Sequence, residues 1–287
     1  MRHSPPSAKG IPFNAVSSDW IDHMDFYEGQ LVSNGDTDDC VIFTAQESFD
    51  AQMDALLPNF PAEVQQEISA MGFMDLSSVD NKLHFHSSPR FAGVLTGNGT
   101  NGNNLPDPWN VFEKYGVVPF SVLPVLPSMT IQDYFAQIPA NVMEIGAKFL
   151  ALIGGAQSIK GQYVCNGTEN VTAMITKIPQ APLCIAVAVD DGTWNQAEPG
   201  IASGTPVHSV MLYAIDASGD FLVYDHYQPA KKLLLPTYPI LYAYQGVVSP
   251  KFAAPSAPVL PPNPTIAQEQ TWLDSLKQWL TIILNSL

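Results

Sequence analysis

Cys40 is the residue of this chain best placed to act as a nucleophile. From Cys40 to Leu57, the side chains Val41, Phe43, Ala45, Phe49, Met53, Leu56 and Leu57 fall at mostly helical spacing, and Pro58 stops the pattern. Cys40 therefore opens a predicted helix, where the macrodipole and free amides favour a thiolate and can hold an oxyanion. A lone cysteine is ordinarily a small core residue, so position by itself assigns no role. Asp38 and Asp39 suit a helix N-terminus, yet their charge opposes a thiolate. His84 and His86 alternate on one face of a predicted strand, as a metal pair can, but no third ligand lies nearby in sequence and no metal or other cofactor is expected.

The elements that must position these groups change character along the chain. Helical periodicity covers Ala62 to Met71, and a short helix from Trp109 to Tyr115 ends at Gly116. Residues 129–155 read as one or two helices, the second from Asn141 to Ile153 with Gly154 and Gly155 as its terminator. Gly97 to Asn104 is a loop. From Ala181 onward the runs PLCIAVAV, HSVMLYAID, FLVYDHY, KKLLLPTY and PILYAYQGVV predict an antiparallel sheet joined by Gly and Pro turns. Helices first and strands second give an α+β fold whose two halves leave a cleft between them. After a leader over residues 1–10, the main domain spans 11–248, with a helical lobe to about 155 and a β lobe from about 156. Residues 249–265 form a proline-rich linker and 266–287 an amphipathic helix, with Leu273, Leu276, Leu280, Ile283 and Leu287 at three- and four-residue steps. That helix suits folding back, docking on a protein partner or self-association.

Lys and Arg number 12 against 27 Asp and Glu, for a net charge of -15, and no basic run is interleaved with aromatics. Nucleic acid is excluded as a partner, since phosphate binding rests on clustered cations. Charged residues make up 14% of the chain, against about 25% in average domains, which hints at a surface covered by other subunits. Three cysteines, Cys40, Cys165 and Cys184, cannot build a disulfide framework, so reducing conditions suit the chain. The opening MRHSPPSAKG lacks the apolar core of a secretory signal, and no apolar run approaches the ~18 residues of a transmembrane segment. The expected location is the cytoplasm or an assembled particle.

The run SNGDTDDCVIF from Ser33 to Phe43 resembles the papain-like cysteine peptidases, in which Asn-Gln-Gly precedes Cys-Trp-Ala-Phe; the interval from Gly35 to Cys40 matches. Asp19-Trp20 is similar to the Asp-Trp that opens the family's mature domain, and Gly99 to Val117 to its Asn-Gly-Gly loop, Trp-bearing helix and Tyr-Gly turn. Gly200-Ile201, Val207-His208-Ser209-Val210 and Tyr213 follow the order around the family's histidine, and Asp225-His226-Tyr227 falls where it has Asn-Ser-Trp. The likeness runs in order from about residue 11 to 245.

The resemblance implies a two-lobed papain-like fold and a hydrolase of peptide or protein substrates, with Cys40 as nucleophile, His208 as base and Asp225 holding the imidazole in the useful tautomer. It implies an oxyanion hole from Asn34 and the Cys40 amide, and a substrate cleft with Gly35, Gly102, Trp109 and Tyr227. Asn34 is one methylene shorter than the family's Gln, and Asp225 replaces Asn, which raises the imidazole pKa by direct attraction. Thr37 stands in place of a disulfide cysteine, and with only about ten residues before the matching domain the family's inhibitory propeptide is expected to be absent. His226 is expected on the opposite face of its strand. An alternative keeps the fold without turnover, as an assembly component of a larger particle such as a virion, docked through its C-terminal helix.

Overall fold

One helix organises the molecule, because its polar side chains reach out to elements around it. The computed structural model describes residues 19–23, 29–77, 80–189, 193–202, 204–252 and 265–285. They belong to two compact units, Met1–Pro250 and Lys251–Leu287.

In the first unit, α1 (Cys40–Leu56) is buried over most of its length. The helices after it are α2 (Ala62–Ala70), α3 (Pro89–Thr96), α4 (Asp107–Tyr115), α5 (Ile131–Tyr134), α6 (Ala140–Leu152) and α7 (Val171–Lys177). Two short hairpins, β1 (Leu31–Val32) with β2 (Gly35–Asp36) and β3 (Met74–Leu76) with β4 (Leu83–Phe85), lie among them. The main sheet is formed by β5 (Ile159–Asn166), β6 (Leu183–Val187), β7 (His208–Ile215), β8 (Phe221–Tyr224), β9 (Lys231–Leu234) and β10 (Tyr242–Val248). Its order is β5-β10-β6-β7-β8-β9, and every pairing is antiparallel. The α+β class and the antiparallel sheet are as the sequence implies.

Buried polar groups in α1 satisfy backbone that would otherwise be orphaned. Thr44 Oγ1 donates to the Ser209 carbonyl of β7 at 2.9 Å. Gln52 donates to the Gly246 carbonyl at 3.1 Å and accepts from Val248 N at 2.9 Å, which ties the helix to β10. Elsewhere on α1, Asp54 accepts from Phe85 N at 3.0 Å and Asp50 from Ser87 N at 2.9 Å. The N-terminus of α1 is thereby fixed relative to the start of β7.

Apolar side chains form one core around this helix and another on the sheet. Phe49 meets the rings of Phe85, Trp109, Phe112 and Phe149. On the sheet, Leu183, Ile185, Val210, Leu212, Phe221 and Val223 belong to a second buried cluster. Gly116, at φ +74°, ends α4 so close to α6 that a Cβ would stand 2.2 Å from the Gly146 carbonyl oxygen. No side chain larger than hydrogen fits there.

β5 and α7 have no counterpart in the sequence reading. Most of β5 is exposed, with only Ile159 and Cys165 buried, so it lacks the alternation that marks a half-buried strand. The second unit contains α8 (Ile266–Asn285). The leader over residues 1–10 and most of the expected linker lie outside the described residues. Among the described residues, no helix is long and apolar enough to cross a membrane.

Candidate active site

Cys40 is the first residue of α1, and Asp39 is the N-cap. The Asp39 carbonyl accepts the first intrahelical bonds, from Ile42 N at 2.8 Å and Phe43 N at 3.1 Å. Its side chain does not cap the helix; instead it is buried, with Oδ1 accepting from Asn103 Nδ2 at 2.8 Å. Burial pushes the Asp39 carboxyl up to about 7, against the hydrogen bonds of Tyr134 and Asn103. Asp38, exposed at φ +57°, is held by its N–H bond to Asp36 Oδ1 at 2.9 Å. Burial, then the neighbouring charge of Asp36, raises its carboxyl too.

His208 opens β7 opposite Val187 of β6. Its Nε2 lies 2.7 Å from Asp225 Oδ1, and the Cys40 thiol is near enough to the same ring to act on its pKa. With Nε2 committed to Asp225, Nδ1 is the nitrogen left for sulfur. Burial opposes the imidazolium, but the interactions with Asp225 and Cys40 outweigh it and raise the His208 pKa.

Asp225 follows the end of β8 and has no exposed surface. Its Oδ1 serves His208, and its Oδ2 accepts from Trp194 Nε1 at 2.9 Å and Lys232 Nζ at 2.8 Å. Burial would raise this carboxyl; the bond and charge of His208, with His226 and Lys232, hold it well below the usual carboxylate range. Trp194 also meets the His208 ring edge to face, at 5.4 Å and 82°. Neither Trp194 nor Lys232 emerges from the sequence reading. Lys232 had a signal: it lies two residues before buried Leu234, on the inward period of a strand.

A cleft of about 1710 Å³ opens at this constellation, lined among others by Gln30, Cys40, Gly102, Trp194, His208 and Tyr227. Gly102 and Tyr227 are among the residues that line it. Trp109 is not: it is 2% exposed and lies over Gly246, where a Cβ would come within 2.1 Å of its ring. The aromatic helix α4 faces the core, so Trp109 is a packing residue. Gly35 sits in β2 beside Ile131, outside the cleft lining.

Asn34 is also absent from that lining. It occupies the turn of the β1–β2 hairpin, and its Oδ1 accepts from Ile131 N at 2.8 Å. Gln30, just before the hairpin and 2% exposed, lines the cleft instead. Its Nε2 donates to Asp36 Oδ1 at 2.6 Å and to the Tyr227 hydroxyl. The Tyr227 hydroxyl in turn donates to Asp36 Oδ2. The β1–β2 hairpin lies between Gln30 and Cys40 in the chain.

His226 is not on the opposite face. β8 ends at Tyr224, so strand alternation no longer applies, and the ring lies 5.6 Å from that of His208. Its Nδ1 is 3.6 Å from Glu47 Oε1 of α1. Burial lowers the His226 pKa, but Glu47 leads the interactions that raise it overall. His84 and His86 go to different carboxylates: His84 to Asp54 at 3.1 Å and Asp80 at 3.2 Å, His86 to Asp75 at 2.7 Å. Among the described residues, His208, Asp225 and His226 are the one group whose possible ligand atoms lie within 4.8 Å of one another. The Lys232 ammonium already occupies that carboxylate.

The sequence matches no protein-family model and no curated protein. Solved structures do match. Digestive procathepsin L 3 of Tenebrio molitor larval midgut aligns with a TM-score of 0.55 at 12% identity, over 86% of this chain and 74% of that one. Xylellain, a cysteine protease from Xylella fastidiosa, aligns with a TM-score of 0.54 at 10% identity, over 87% and 91% of the two chains. The Carica candamarcensis cysteine protease CMS1MS2 aligns with a TM-score of 0.50 at 12% identity, over 80% and 97%. The chain is similar to papain-like cysteine proteases in fold.

Proposed function

We propose that this chain is a cysteine-type hydrolase of peptide or amide bonds, acting through Cys40, His208 and Asp225 between a helical and a β-rich lobe. The Cys40 thiolate adds to the substrate carbonyl, and the His208 imidazolium gives its proton to the departing amine, leaving a thioester. Water then attacks the thioester while His208 takes its proton, and the thiolate returns. Asp225 holds Nε2 so that Nδ1 faces sulfur. The developing oxyanion is met by the amide of Cys40 at the start of α1 and, once its Nε2 hydrogen leaves the Tyr227 hydroxyl, by the Gln30 side chain in the role expected for Asn34. Gly102 and Tyr227 border the substrate.

One observation carries the reading: Cys40 at a helix N-terminus and His208 line the same open cleft, and the His208 Nε2 is 2.7 Å from the carboxylate of Asp225 buried behind it. The test is hydrolysis of a fluorogenic peptide amide library. Wild type should turn over and Cys40→Ala should not; equal rates for the two would sink the reading.

An assembly role through α8 rests on the amphipathic pattern of residues 266–287 and the sparse surface charge. It predicts that Cys40→Ala still self-associates or binds its partner and that removal of residues 266–287 abolishes this, measured by sedimentation.

A further inference from the structure

The Lys232 side chain is wholly buried, and no step of the proposed hydrolysis uses it. Its ammonium is nonetheless fully engaged: Asp225 Oδ2 at 2.8 Å, the Tyr227 carbonyl at 2.8 Å and the Pro229 carbonyl at 2.6 Å. The Trp194 ring lies 5.5 Å from Nζ, and its N–H goes to the same carboxylate oxygen. Taking two charges out of water is costly, and a buried ion pair is weak support for stability by itself. Its location suggests another use.

We propose that Lys232 is a positioning residue for His208: by neutralising Asp225 it makes a charged orienting group hold the imidazole much as an uncharged amide would. The consequence for catalysis rests on the hydrolase reading; the effect on His208 does not.

The carboxylate is divided between two tasks. Oδ1 fixes the imidazole at 2.7 Å, and Oδ2 is given to the ammonium and the indole. Orientation is therefore kept while most of the charge is offset. Without the ammonium, a buried anion next to Nε2 would bind the imidazolium proton tightly in a low dielectric. Such an imidazolium would be a poor acid toward a departing amine. The other groups around the ring are Cys40 from α1, His226 and Tyr227 from the segment after β8, Glu47 behind His226 and Asp36 behind Tyr227. Lys232, from β9, is the cation placed on the orienting carboxylate itself.

The test titrates the His208 ring by NMR in wild type, Lys232→Met, Asp225→Asn and the double variant, with Cys40 alkylation by iodoacetamide from pH 5 to 9 as second readout. Lys232→Met should raise the His208 pKa by about one unit, with the basic limb of alkylation following. The double variant should return near the wild-type titration and alkylate within about tenfold of wild type, faster than Asp225→Asn, which strands a buried ammonium. A Lys232→Met titration that superimposes on wild type would overturn the proposal. So would a double variant no faster than Asp225→Asn; that comparison decides the matter if Lys232→Met does not fold. Failure of the hydrolase reading shows separately, as wild-type Cys40 that is not labelled in preference to Cys165 and Cys184.

Discussion

A carboxylate next to a nucleophilic thiol ought to suppress it, and Asp39 softens that effect by being buried and partly neutral. Its folded value of about 7 stands above the ordinary 3.8, so its contribution to stability is full below about pH 4 and is lost as pH rises through 7. Asp39→Asn keeps an acceptor for Asn103 and removes the charge. Relative to wild type it should gain stability between pH 5 and 8, by up to about 4 kcal/mol, and alkylate several-fold faster at pH 8. Melting curves whose offset is the same at both pH values would contradict this. The oxyanion assignment separates two residues that the spacing confused. Gln30→Ala should lower kcat by about 10- to 100-fold, whereas Asn34→Ala, whose parent bonds Ile131 N away from the cleft, should stay within about twofold. The opposite ranking would restore Asn34. The roles proposed for Cys40, His208 and Asp225 rest on short motifs, each beside an element boundary. Gln30 was missed, with the β1–β2 hairpin between it and Cys40 in the chain, and Lys232 was hidden by its surface-like residue type.

Elements were legible where one face is buried and the period is regular. α1 carries helical spacing, and β8 and the part of β7 after Ser209 are unbroken apolar runs, so the sequence placed Cys40 at the start of a helix and His208 at the start of a strand. β5 pairs with β10 at the sheet edge with little burial, and nothing in its residues separates it from a loop. His226 was misread because β8 stops two residues before it. Trp109 was misread because a Trp on a short amphipathic helix can serve core or cleft equally well. Its contact with Gly246 makes a specific test: Gly246→Ala inserts a Cβ 2.1 Å from the ring and should cost about 1–3 kcal/mol, read as a lower Tm. Cys40 labelling at 25 °C should be unchanged. An unaltered Tm would mean that α4 and β10 are packed less tightly than described.

Across the whole molecule, the first unit contains every residue assigned to the chemistry, and α8 belongs to the second. A chain ending at Pro250 should therefore alkylate Cys40 within about twofold of the full chain. A large loss would show that residues 251–287 support the site. The central claim is that Cys40 and His208 form a working pair at neutral pH. The most direct measurement is the rate at which a peptidyl epoxide modifies Cys40, Cys165 and Cys184 from pH 5 to 9, followed by mass spectrometry. Cys165 and Cys184 are buried and their thiols raised, Cys184 to about 12, so neither should compete. Selective modification of Cys40, already fast at pH 7 and lost in His208→Ala, is the predicted result. Slow, unselective modification that rises only above about pH 8, as for an unactivated thiol, would contradict it.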